Sequence, residues 1–303
     1  NGALLSRATG WEDRKYAVPQ NLFQLRLAPL QRSLSVPTLQ RELASSGLVA
    51  RRIDAFDEGY LEQGGAVWMR LLAHLTLTER ERHEFYRVLP RSGPRREEWL
   101  LGRVCAKEAV REWAARELQL NLADADIEIG HLDRGAPCVV SVLGWPEGVA
   151  LPMISISHSR RSAVAACGAS DMLGIDFLPH QTIERVNVDD LIAGAFTTEE
   201  VGFFIHGWPK SDQRRAATAL WCSKEAAAKA SGTGLEGKPQ EWTIASANLE
   251  RRASNQPLVS VRRGGIDYDV ELYFGGDALI ALCRKASAAG MKPVVAPVAL
   301  SRE

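Results

Sequence analysis

The chain has 303 residues, 46% of them hydrophobic and 24% charged, enough apolar side chain for one large or two smaller globular units. Lysine plus arginine and aspartate plus glutamate both number 37, so the formal charge is zero and a nucleic-acid partner held by bulk electrostatics is excluded. No apolar run reaches the length of a membrane span, and no basic amino-terminal region leads into a hydrophobic core; a soluble protein without membrane attachment is expected. The five cysteines are odd in number and widely spaced, without metal-type pairing, which points to a reducing, cytoplasmic setting. The first residue is Asn1 rather than methionine, so a piece of something longer is expected.

In chain order, residues 1–48 differ in character from the rest of the chain. Pro19, Pro29 and Pro37 forbid one long helix there, and the alternation in Phe23-Gln24-Leu25-Arg26-Leu27 predicts a half-exposed strand. We expect this stretch to be an extension or linker. A strand over Leu48–Phe56 opens the main body. Thr78, with Glu81 three residues on, predicts a capping box at the start of a helix reaching Arg87. Arg87, Arg91, Arg95 and Arg96 then form a basic loop, either a solvated connection or a surface for an anionic ligand. From Glu97 to Leu120 the spacing predicts an amphipathic helix, with Leu100, Leu101, Val104, Trp113 and Leu118 towards a core and Arg103, Lys107 and Arg111 along another face. Two strands are expected within Met153–Gly168, with Ser157-His158-Ser159 at the turn between them.

A short buried strand around Gly174 should end near Asp176, where a charge can face a cleft. A helix from Asn187 to Ala195 comes next, then one capped by Thr197 or Thr198, then a long alanine-rich helix from Gln213 to Ser231. Four alternating segments, Trp242–Leu249, Leu258–Arg263, Tyr268–Phe274 and Ala278–Lys285, predict antiparallel strands. The fold class is therefore α+β. On the long helix Trp221, Glu225 and Lys229 are four apart and share a face, with Lys224 at its edge. A strand carboxylate beside a helix carboxylate and two lysines suits a magnesium and polyphosphate site, because a hard cation takes few carboxylates and the lysines offset the remaining phosphate charge. The plain alternative is a solvated ion pair between Glu225 and Lys229.

Gly174-Ile175-Asp176 followed by Trp221-Cys222-Ser223-Lys224-Glu225-Ala226-Ala227-Ala228-Lys229-Ala230-Ser231-Gly232 resembles the paired signature of the 4′-phosphopantetheinyl transferases of the larger, two-lobed kind. Leu100-Leu101-Gly102-Arg103, Gly135-Ala136-Pro137, Ile156-Ser157-His158-Ser159, Phe196-Thr197-Thr198-Glu199-Glu200 and Gly232-Thr233-Gly234-Leu235 agree and come in the expected order, from about Leu77 to Ala286. The resemblance implies a pseudo-twofold two-lobed fold, a monomeric pseudo-dimer with lobes over 49–170 and 171–287 and a tail over 288–303. It implies transfer of phosphopantetheine from coenzyme A to a serine of an acyl carrier protein, with release of 3′,5′-ADP. Asp176 and Glu225 would hold Mg2+; Lys229, with Lys224 nearby, would offset charge on the departing phosphate; Ser157, His158 and Arg134 would contact the coenzyme.

Three positions depart from the family pattern. Trp99 stands where a polar or basic residue is usual, Ala136 where many relatives carry lysine, and Leu178 where a glutamate supplies a third metal ligand. Residues 1–48 loosely resemble the end of a polyketide synthase dehydratase domain and a linker, implying a carboxy-terminal domain of an iterative, enediyne-type synthase. A noncatalytic carrier-docking module in such a synthase is the alternative reading. A different magnesium-dependent nucleotide enzyme is disfavoured by the absence of a glycine-rich phosphate loop.

Overall fold

The computed structural model describes residues 20–44, 46–54, 56, 61, 63–90, 93–159, 161–249, 258–275 and 277–285. The expectations for residues 1–19, for Arg91 and for the tail after 285 lie outside the described residues. The first part of the chain forms α1 (Gln20–Leu27), β1 (Val36–Thr38), α2 (Gln40–Leu43), β2 (Leu48–Ile53), α3 (Gln63–Thr76), α4 (Glu79–Arg87) and α5 (Pro94–Leu118). It continues through β3 (Ile127–His131), β4 (Pro137–Val142), β5 (Met153–Ser159) and β6 (Ser162–Gly168). The second part comprises β7 (Met172–Pro179), α6 (His180–Arg185), α7 (Val188–Ala195), α8 (Thr198–Phe204), α9 (Lys210–Ala230), β8 (Thr243–Asn248), β9 (Leu258–Arg263), β10 (Ile266–Phe274) and β11 (Ala278–Lys285).

Each part is a long helix laid on an antiparallel sheet. The first sheet has the order β1-β2-β6-β5, with the β3–β4 hairpin packed beside β5, and α5 covers it. The second has the order β7-β11-β10-β9-β8, covered by α9. Two large apolar clusters fill the space beneath the helices, one around Leu100, Val104 and Phe85 and the other around Leu220, Ala227 and Trp242. A third, smaller cluster joins Val164 and Ala166 of the first sheet to Leu173, Ile175 and Ile280 of the second. Mixed helix and sheet matches the expected α+β class.

The capping box expected at Thr78 with Glu81 is present, and of the two caps offered for the next marked helix Thr197 is the one used, forming a second capping box with Glu200. The glutamates do more than cap. Glu81 receives the fully buried ammonium of Lys107 through Oε2 and the N–H of Ile129 through Oε1, while Lys107 also donates to the carbonyl of Thr76 at 2.7 Å. Glu200 receives Lys224 at 2.9 Å and the N–H of Ile244 at 2.6 Å, and Lys224 donates to the carbonyl of Ala195 at 2.8 Å. Each buried lysine thus locks the long helix to a short helix and to a strand, with most of its donors satisfied inside the protein, as a buried charge requires.

Several expectations are corrected. Residues 20–27 form a helix rather than a strand, because Leu22 and Leu25, three apart, are buried while Phe23 and Leu27 of the supposed strand face are exposed. Residues 20–44 are not a free linker either: Leu22 and Leu25 enter the first core, Leu43 enters the third, and β1 pairs with β2. Arg103 and Lys107 are buried rather than aligned along a solvent face. Arg96 lies in the first turn of α5 with its guanidinium over the rings of Phe85 and Tyr86, so it is not part of an open basic loop; Arg87 and Arg95 are exposed. The five cysteines are all free. Among the described residues, no helix is long and apolar enough to cross a membrane.

Candidate active site

A cleft of about 490 Å³ opens where the end of β5 meets β7 and one face of α9. Its polar lining includes Ser157 and His158 from β5, Asp176 from β7, and Thr218, Glu225 and Lys229 from α9, while Leu178, Val186, Leu191 and Trp221 supply an apolar wall. Gly174 explains why strand and helix carboxylates come so close. A Cβ at that position would lie 2.0 Å from the carbonyl oxygen of Ala226 and 2.5 Å from the amide nitrogen of Ala230, so only glycine lets β7 press against the α9 backbone. Ala226 and Ala230, one turn apart, keep that helix face shallow for the same purpose.

Asp176 sits within β7 rather than at its end, with little solvent access, and its Oδ1 accepts both the Lys229 ammonium and the Ser157 hydroxyl at 2.7 Å. Lys229 therefore bridges to the strand carboxylate; the solvated Glu225–Lys229 pair is not what forms. Burial raises the pKa of Glu225, the positive charge of Lys229 opposes this, and the negative charge of Asp176 adds to it. Two carboxyl groups and one ammonium thus share a poorly solvated space. The fully buried thiol of Cys222 lies near the same carboxylate, and burial, with the charge of Asp176 adding to it, holds that thiol's pKa well above the usual value.

His158 is half-exposed at the cleft rim, with Nδ1 3.6 Å from Glu98 of α5. Burial of part of the ring holds its pKa below the usual histidine value, partly countered by Glu98. Lys224 is not in the cleft. It is turned to the opposite side of α9, fully buried on Glu200 and two carbonyls, so its expected role beside the phosphate is corrected to a structural one. Arg134 lies on the exposed turn between β3 and β4, away from the cleft lining, and its charge falls on Glu236. Trp99 packs against Phe85 and under Arg103, inside the first unit. Leu178, two residues beyond Asp176 on the same strand, does face the cleft as strand alternation requires.

Residues 172–283 match the family described as the 4′-phosphopantetheinyl transferase superfamily. A holo-[acyl-carrier-protein] synthase from Geobacillus sp. (strain WCH70) is 38% identical over 90 residues, 29% of this chain and 69% of that protein. The chain belongs to the 4′-phosphopantetheinyl transferase superfamily. The matched stretch contains Asp176, Glu225 and Lys229 but not Ser157 or His158, which reach the cleft from the first sheet. Sequence reading missed the bond from Ser157 to Asp176 and the walls supplied by Val186 and Leu191 of the α6–α7 segment. The glycine two residues before Asp176 was the available signal for the close helix approach.

The donor set can be tested against a metal. Among the described residues no group of three or more His, Cys, Asp or Glu side chains could enclose one. Two carboxylates in one cleft do fit Mg2+, which is commonly held by one or two carboxylates and completes its shell with water and substrate phosphate oxygens.

Proposed function

We propose that this transferase moves the 4′-phosphopantetheine group of coenzyme A onto a serine of an acyl carrier protein, leaving 3′,5′-ADP. The observation that carries the reading is the convergence of Asp176, Glu225 and Lys229 on one cleft inside the segment shared with the superfamily. Asp176 and Glu225 would hold Mg2+, which supplies charge neutralisation at the pyrophosphate. Glu225 accepts the proton of the attacking serine hydroxyl, a task suited to a carboxylate whose basicity burial has raised. The serine oxygen forms a bond to the phosphorus carrying pantetheine, and the anhydride bond from that phosphorus to the oxygen kept by 3′,5′-ADP breaks. Lys229, a quarter exposed and able to leave Asp176, offsets the negative charge gathering on the departing phosphate. His158 donates to the coenzyme from the cleft rim. The apolar wall of Leu178, Val186 and Leu191 keeps water away from the reacting oxygens.

The helix-on-sheet plan common to both parts and the twin lysine–glutamate locks support a pseudo-twofold, two-lobed arrangement, and the partner class is an acyl carrier protein or carrier domain. Incubating the chain with coenzyme A, Mg2+ and several apo carrier proteins should raise the carrier mass by one phosphopantetheine group. Unchanged carriers throughout would leave the noncatalytic docking module as the better reading.

A further inference from the structure

The two sheets do not merge into one ladder where β5 meets β7; serine side chains join them instead. The edge strand β7 has a ladder partner, β11, on one side only. On the other, the buried Ser155 Oγ accepts the N–H of Ile175 at 2.9 Å, and Ser157, two residues along the same face of β5, donates its hydroxyl to Asp176. A serine hydroxyl has a single O–H to donate. In Ser157 that proton is committed to Asp176 Oδ1, which must be the acceptor because the ammonium of Lys229 donates to the same oxygen. Ser157 is also only 5% exposed, whereas its neighbour His158 reaches the open rim. For Ser157 to donate to a coenzyme phosphate it would have to release the carboxylate.

We propose that Ser157 is a positioning residue: from the first sheet it fixes the rotamer of the Asp176 carboxylate on the second, keeping Oδ2 turned towards the cation position. Coenzyme contact at this end of the cleft then falls to His158. Of the two donors on Oδ1, Lys229 is charged and partly exposed, free to move to a phosphate oxygen, while Ser157 is buried and remains. A partner that orients a metal-binding carboxylate in this way is worth about ten- to a hundredfold in metal affinity or activity.

This rests on the reading of the cleft as a magnesium-dependent transferase site, and the test separates the two. Ser157→Ala and Ser157→Thr are assayed with coenzyme A and Mg2+ varied independently, and Mn2+ is titrated into the same proteins without coenzyme by electron paramagnetic resonance. Circular dichroism checks that each variant is folded. Ser157→Ala should raise the Mg2+ concentration for half-maximal rate and weaken Mn2+ binding, each about tenfold or more, with the KM for coenzyme A changed less than twofold; Ser157→Thr, which keeps the hydroxyl, should recover most of both. A raised KM for coenzyme A with unchanged metal dependence would overturn the proposal and make Ser157 a coenzyme contact. Should the unaltered protein modify no carrier, the functional reading fails. The Mn2+ titration still decides the role of Ser157: equal affinity in Ser157→Ala and the unaltered protein counts against it.

Discussion

The two helix-on-sheet units carry the same lock but opposite charges about a turn beyond it. Immediately after the buried lysine each long helix has a glutamate, Glu108 in α5 and Glu225 in α9, and one turn further stand Glu112 and Lys229 respectively. Three residues before those glutamates lie Cys105, whose thiol donates to the carbonyl of Arg51, and Cys222, whose titration feels the nearby carboxylate of Asp176. Arg51 on β2 therefore occupies the place that Asp176 has on β7. In the second unit the acids Asp176 and Glu225 are left with one partly exposed ammonium and an open cleft. In the first, the Arg51 guanidinium pairs with Glu112 and donates to the Ser35 hydroxyl at 2.6 Å, while Glu108 accepts the N–H groups of Leu34 and Ser35 at 2.6 and 2.7 Å. Residues 34–38 fill the space that the second unit leaves to solvent. One framework has become a sealed, self-neutralised core on one side and an unfinished charge set on the other, and an unfinished set is what a cation and a polyphosphate can complete.

The largest expected break in this comparison comes from deleting residues 1–44. This removes buried Leu22, Leu25 and Leu43, each worth about 1.5–3 kcal/mol, together with β1 and the donors to Glu108. Against a typical domain stability of about 5–15 kcal/mol the loss should leave the protein insoluble or unfolded, judged by soluble yield and circular dichroism. A folded, active truncation would show the plug to be dispensable.

Next comes the pair Arg51→Ala and Asp176→Ala. The first strands the buried Glu108 and the partly exposed Glu112 and should cost about 3–5 kcal/mol in urea unfolding. The second should cost clearly less, because it also relieves the crowding of two carboxyl groups in one cleft, while abolishing carrier modification. Equal stability losses would erase the distinction.

A smaller effect separates the units by pH. Burial, with the charge of Asp124 adding to it, pushes Glu108 up to about 7. Between the ordinary glutamate range and that value the folded protein holds a proton that the unfolded chain has released, so this group's stabilising contribution falls as pH rises through the window. Unfolding midpoints at pH 5.5 and 7.5 should differ more for the unaltered protein than for Glu108→Gln. An identical pH difference in both would mean that Glu108 is ionised throughout.

The finest test concerns Lys229, the residue that replaces Glu112 in the comparison. Lys229→Met should lower turnover by about a hundredfold or more, yet raise the Mn2+ affinity of the coenzyme-free protein severalfold, since the ammonium on Asp176 competes with an arriving cation. Weaker Mn2+ binding in this variant would make Lys229 an aid to the metal rather than its placeholder.

The Thr78–Glu81 capping box, the threonine cap of α8, the α9 span and the four last strands were legible in the sequence because they depend on residues within a turn or a pleat of each other. The α1 error has the same origin: a five-residue alternation and a three-residue helical spacing coexist in residues 22–27, and only the core that receives Leu22 and Leu25 chooses between them. Lys224 and Glu225 are adjacent in the chain but about 100° apart around the helix, enough to send one into a sealed lock and the other into a cleft.

By itself, then, the sequence determined the α+β class, the family signature and the three cleft residues Asp176, Glu225 and Lys229, all set by short-range pattern. The tertiary structure alone decided that Lys224 is structural, that Ser157 serves Asp176 and that residues 20–44 belong to the body. These outcomes turn on what packs opposite a side chain, and the partners Glu200, Asp176 and Glu108 lie 24, 19 and 73 or 74 residues away in the chain.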